Sequence, residues 1–474
     1  MFALIAALTW LAAVVDAAPP DADGAKALED MYASYFSTKA VENGVIQVTP
    51  DGSAYEVVWD LQKAAELAQI PASKFKIEPF SYRLTPEAGG VWSLEADSFP
   101  KIEFEASAEP HTQSILTLEG FGLQGRYDPA SEPFLTSKLT IDKVGDEVEG
   151  DGPSAPKLSA LSYVGLTVDS DARTSPAGGV NFAFTQHIEG MSQSVKPAAN
   201  GGAYGFDVAS DRNDGRGAAT NLKAREIGEV WKYVLSRAET KQNPSDAAPL
   251  LSAALPLWNR VEIGGDSANV KVETQIGAAE AKSLGSRVAI SGVTDPGRIE
   301  FGLDFDALSL KSPLAPPWAA KLTPAAAHIA FAISDKGVSQ AVQAFLADPA
   351  FGSGDPAKAT QDAATAAIVG GDPKLTFEAN ALKTPVIDLA FSGELGLGGG
   401  APSGHFHVTA DSLDRLMALA SEIAAADPSA QQGLLALSLI KGLAKTGPDG
   451  RLAWDVNLTG KQVVINGTPM PTGN

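Results

Sequence analysis

Apolar and polar positions alternate with period two along most of this chain, the pattern of strands with one buried and one wet face. Ile102, Phe104 and Ala106 alternate with Lys101, Glu103, Glu105 and Ser107. Ile299, Phe301, Leu303 and Phe305 alternate with Arg298, Glu300, Gly302 and Asp304. Phe406 and Val408 alternate with His405, His407 and Thr409. Similar runs over 75–84, 91–94, 114–119, 121–127, 135–144, 161–168 and 180–187 predict a long meander. Asp51-Gly52 between two such runs is a strong hairpin signal.

Helical spacing interrupts this plan at few places. It predicts helices over 25–41, 221–238, after Asp335, over 411–426 and over 429–445, with a short one at 357–368. Four of the strand-to-helix junctions carry a side chain suited to capping free N–H groups: Asp60, Asn221, Asp335 and Asp411. In the helix after Asn221, Ile227, Val230, Trp231, Val234 and Leu235 share one face. The 429–445 segment is apolar nearly all round, which predicts a buried helix. A polar turn is predicted at 211–217. The fold class expected is α+β: large, mostly antiparallel sheets with a few amphipathic helices laid on them.

The expected organisation is an export signal over 1–17, a β-rich half over 18–245 ending in a helix, and a second β-rich half over 246–474 closed by a hairpin. The apolar run 2–15 followed by Val15-Asp16-Ala17 has the length and small-x-small site of a cleaved signal, although its start carries no Lys or Arg. No other stretch is long and apolar enough to cross a bilayer as a helix. The chain has 474 residues and no cysteine, which excludes thiol catalysis, disulfides and Cys-ligated metals. An exported chain of this length without disulfides fits a bacterial periplasm or outer surface. The net charge of −21 opposes phosphate backbones, so nucleic acid is excluded as a partner.

No catalytic motif is complete, and no cofactor motif is present. Ser438-Leu439-Ile440-Lys441 matches S-x-x-K and Lys445-Thr446-Gly447 matches K-T-G, but in acyl-serine enzymes the second lies on a distant strand. Asp211-Arg212-Asn213-Asp214-Gly215 places its Gly one position early for a calcium loop. His405 and His407 share a strand face and are the weak metal candidates; a site needs a third ligand that the sequence does not supply. Acid pairs such as Asp304/Asp306 are read as solvated, while a motif-poor hydrolase needs no motif for its two acids.

Pro316-Pro317-Trp318-Ala319-Ala320-Lys321-Leu322-Thr323-Pro324 and, at the end, 447–454 with 464–469 resemble a bacterial envelope family known only as a domain of unknown function. The likeness covers about 300–470. It implies a periplasmic β-rich protein and transfers no functional residue. Three expectations follow: a non-enzymatic envelope protein binding a lipid or other amphiphile in an apolar groove, a scaffold or module binding another envelope protein, and, third, a hydrolase.

Overall fold

The computed structural model describes residues 20–470, apart from 72–73, 107–111, 129–133, 151–157, 197–204, 241–242, 353 and 399–400. The expected signal at 1–17 lies outside these residues. The protein is α+β, with antiparallel strands dominant and helices between them. It divides into two compact units, one reaching Val261 and including 346–356, the other made of 262–345 and 357–474.

In the first unit, five long strand paths lie side by side: 112–127, Phe134–Gly150, Leu158–Thr174, 180–196 and 206–222. Their register runs without a slip from Glu119↔Lys143 to Gly122↔Thr140 and from Val164↔Lys143 to Leu166↔Ile141. Yet the sheet creases along one row. Gly120 and Gly165 both have φ of +63° there, a region that glycine enters without a Cβ clash. A Cβ on Gly120 would lie 2.0 Å from the Asp142 carboxylate, and one on Gly165 2.6 Å from Glu189. At this row the inward alternation changes phase. Leu116 and Leu118 are followed by Phe121 and Leu123, Leu139 and Ile141 by Val144, and Tyr163 by Leu166 and Val168; all pack in one cluster. The crease thus turns both panels of the sheet toward the same apolar interior.

One panel extends through 122–127 to Trp92–Ala96, Phe80–Pro86, Ala54–Trp59 and Ile46–Asp51. Helix Ala22–Tyr35 covers it, with Asp21 accepting from Gly24 N at 2.7 Å as its cap. Leu28, Met31, Tyr32 and Tyr35 pack on Val48, Val57, Trp59, Phe80 and Tyr82. Tyr32 and Tyr82 share a buried hydroxyl–hydroxyl hydrogen bond of 2.7 Å. Burial pushes the Tyr82 hydroxyl up to about 12 and raises Tyr32 as well. The expected helix 25–41 is interrupted: Ser37 caps a second short helix, Thr38–Glu42.

The second unit contains a nine-strand meander: Gly277–Ser291, Gly297–Asp306, Ala326–Asp335, Lys374–Lys383, Asp388–Gly396, Ser403–Asp411, Leu452–Thr459, Gln462–Ile465 and Thr468–Met470. The register slips between His328 and Phe331 on one side of strand Lys374–Lys383, and between Phe377 and Asn380 on its other side. Asn380, 1% exposed, repairs the gap: its amide accepts from Ala330 N at 2.5 Å and donates to Ala330 O and Glu378 O. Unpaired backbone groups at this depth would otherwise be costly.

Several local expectations are overturned. Asp60 does cap its helix, accepting from Lys63 N at 3.0 Å. Asp335 accepts from Gly337 N, just ahead of helix Val338–Leu346. Asp411, however, accepts only from Ser412 N, and Ser412 enters the left-handed region at φ +62° and starts the helix without a side-chain cap. Asn221, at φ +52°, accepts from Gly179 N, and its helix starts three residues later at Ala224. The Asp411 side chain is taken by the turn that leaves its strand, and that of Asn221 by distant partners, Gly179 N and Asn259 Oδ1. The predicted turn at 211–217 is strand, Arg212–Leu222 paired with 180–188, because Asn213 to Ala219 find ladder partners there. Helix Gln431–Gly442 buries none of its residues, against the expectation from its apolar sequence. In the 224–240 helix, Trp231 and Val234 are exposed.

Candidate functional site

The side chain at each register position of the second unit's meander follows from pleating. Ile290, Ile299, Ile333, Leu375 and Leu395 form one row across five strands. Val288, Phe301, Phe331 and Phe377 form the next, continued past Gly393 to Phe406. Leu303 and Ile329 begin a third. Phe301 stacks on Phe331 at 5.0 Å, and Phe377 lies 6.0 Å from both Phe391 and Phe406. Six strands at about 4.8 Å make this strip roughly 24 Å long, more than an acyl chain occupies in half of a ~30 Å bilayer core.

At one end the strip is covered. Leu413 and Leu416 of helix Leu413–Ala426 and Leu437 of helix Gln431–Gly442 pack on Leu389, Val408, Trp454 and Val456. Trp454 Nε1 donates to Ile440 O at 2.8 Å and pins the second helix to the sheet. Away from this end the strip is open: Val288, Ile290, Ile299, Phe301, Leu303 and Ile333 remain 37–43% exposed. Contiguous exposed apolar surface of this kind marks an interaction site.

On the opposite face of the same strands, charged side chains cover the surroundings of Glu300. Glu300 accepts from Arg298 at 2.7 Å and Arg287 at 3.1 Å, and Arg298 also pairs with Glu378. Glu300 stands between Ala289 and Ala332 in the register, and both alanines are buried. The charged side chains therefore roof over small residues, and the large apolar ones are left for the other side.

The described histidines all face an oxygen across a strand pair. His405 Nδ1 is 2.9 Å from Asn457 Oδ1, and His407 Nδ1 is 2.8 Å from Asp455 Oδ1. The hydrogen bond from His407 holds the Asp455 carboxyl below the usual carboxylate range. His187 pairs with Asp214 at 2.6 Å and His328 with Asp304 at 2.5 Å in the same manner. The two candidate ligands thus share a face as expected, but each bonds its own partner, and no group of three or more His, Cys, Asp or Glu able to hold a metal occurs among the described residues. Ser438 donates to Leu434 O within its helix, and Lys441 pairs with Asp414, so the S-x-x-K residues serve the helix. Residues 211–215 are strand or its edge and cannot wrap an ion as a loop would.

The first unit offers a polar concavity of about 570 Å³. Across its floor Glu56, Arg83, Glu95, Gln124 and Lys138 form one register row, largely alternating in sign. Arg83 is paired with Asp51 at 3.2 Å. No nucleophile–base pair is assembled among these residues. A smaller concavity of about 280 Å³ beside His187 and Asp214 also includes Thr167 and Arg216.

Period-two alternation is identical for covered and uncovered faces, so the sequence places Ile299, Phe301 and Leu303 on one face without showing that this face is open. Comparison with models of protein families, with curated proteins and with solved structures finds no match.

Proposed function

We propose that this chain is an exported bacterial envelope protein that holds an amphiphile against the open apolar strip of its second unit and does no chemistry on it. The observation that carries this reading is the strip itself: two adjacent rows of large apolar side chains, closed at one end by helices and uncovered elsewhere. Burying such a surface under an acyl chain gains about 25 cal/mol per Å² of area removed from water. The charge of −21 gives no attraction to an anionic headgroup, so recognition rests on the hydrocarbon part.

The test is extraction and mass spectrometry of lipid from protein purified under native conditions, with a fluorescent fatty acid titrated onto delipidated protein. Stoichiometric acyl-chain species are expected, with saturable fatty-acid binding lost in Phe301→Ser/Phe331→Ser. Protein that is empty and fails to bind the fatty acid would sink the reading. The interaction-module alternative draws on the first unit, whose interior is filled by its own aromatic side chains. It predicts instead that a second envelope protein, and no lipid, protects the strip from hydrogen exchange.

A further inference from the structure

The two most exposed large apolar side chains of the second unit, Leu314 and Leu435, lie off the sheet. Leu314 is 77% exposed, Leu435 70% and Leu439 56%. Leu314 and the partly exposed Trp318 sit in the Pro-rich corner between strands Ser309–Lys311 and Ala326–Asp335. Leu435 and Leu439 are one turn apart on a single face of helix Gln431–Gly442. Helix Leu413–Ala426 links the two elements. Its Glu422 accepts from Lys321 Nζ at 3.1 Å, and its Asp414 pairs with Lys441.

Charge selects the partner. On a chain with 57 acidic residues, neither 311–321 nor 431–442 contains an Asp or Glu. The only charges are Lys311, Lys321 and Lys441, each at an end of its segment. A surface docking on a soluble protein carries a polar rim around its apolar anchors. These segments have instead the make-up of interfacial ones: leucines to immerse, a tryptophan suited to the headgroup boundary, and lysines at their ends whose charges Glu280, Glu422 and Asp414 balance. No helix among the described residues is long and apolar enough to cross a membrane, so the contact by helices would be peripheral.

We infer that the 312–320 corner and helix Gln431–Gly442 form a membrane-contact tip that dips Leu314, Trp318, Leu435 and Leu439 into the surface of a lipid bilayer. The dipping stands on these side chains alone; that it serves loading of the strip, covered at one end by the same helix, rests on the amphiphile-holding reading.

The cysteine-free chain permits a direct test. An environment-sensitive dye on Leu435→Cys should shift to the blue and be quenched by bromolipid when phosphatidylcholine vesicles are added. The same dye on Lys358→Cys, a side chain 86% exposed on another helix of the unit, should not respond. Vesicle co-sedimentation should persist at high salt and fall about tenfold or more in Leu435→Ser/Leu439→Ser, the loss expected from about 1.4 kcal/mol or more of apolar burial. Leu314→Ser should give a smaller loss. Absence of vesicle binding, equal dye responses at 435 and 358, or unchanged binding by the folded double variant would overturn the inference. Fatty-acid titration without vesicles separates the two ideas: fatty-acid binding without vesicle binding removes the tip and leaves the strip, and the reverse removes the strip and leaves the tip.

Discussion

The two units use the same alternating strands to opposite ends. In the first, the apolar rows of Ile46–Asp51, Ala54–Trp59 and Phe80–Pro86 meet helix Ala22–Tyr35, and the result is a filled interior in which Leu28 and Tyr32 have almost no exposure. In the second, the apolar rows meet a helix pair at one end, while Val288, Ile299 and Phe301 stay partly exposed among the described residues. What differs is the covering element. A pleated strand fixes which side chains share a face, while whether that face becomes core depends on a helix long enough, and placed so as, to reach it.

Truncation should break this contrast if it is wrong. Leu28→Ala removes a side chain packed on all sides and should cost about 3 kcal/mol in chemical denaturation. Leu303→Ala, on the open strip, should cost under about 1 kcal/mol, because its environment is already half water. Equal costs would mean that the strip is covered after all. Within the second unit, Asn380→Ala should cost about 2 kcal/mol, since it strands the N–H and C=O of Ala330 with no solvent to replace the lost amide. Asn380→Asp should not rescue it, because a carboxylate cannot donate to the Ala330 carbonyl.

The smallest effect concerns the polar face. Asp455 has a folded pKa held below its unfolded value by His407, so its contribution is present above the unfolded pKa and is lost as pH falls through the folded one. Carboxyl NMR should show Asp455 titrating below the normal Asp range. In His407→Ala the midpoint should rise toward that range, with little change in overall stability because the pair is exposed. An unmoved midpoint would show that the pair does not set the titration of this carboxylate.

Much of the fold was legible in the sequence. The alternation at 298–305 and 404–409 is strand, but in the first the apolar side, with Ile299, Phe301 and Leu303, is the exposed one rather than the buried one. The helix after Asp60 starts where the cap predicted it. What escaped was tertiary. Asp411 and Asn221 look like caps, but their strands end in left-handed residues, and the side chains bond Ser412 N in one case and Gly179 N and Asn259 in the other. Helix Gln431–Gly442 looks buried because apolarity normally signals core, yet its Leu435 and Leu439 face outward while only part of its surface meets the sheet. His405 and His407 were found on one face, but their bonding partners, Asn457 and Asp455, come from a strand about fifty residues away that no local pattern announces. The crease did leave a trace: the spacing i, i+2, i+5, i+7 of Leu116, Leu118, Phe121 and Leu123 breaks period two by one residue. That skip reads as a loop when each strand is taken alone.

The shared skip constrains how this unit can change. Because adjacent strands shift phase at the same row, a one-residue insertion or deletion at Gly120 or Gly165 would leave half of one strand presenting its polar side to an apolar interior while its neighbours did not follow. Length changes in these strands are therefore tolerable only in concert, so the fold line behaves as a single inherited character of the sheet, whereas each loop between strand ends is free to vary by itself.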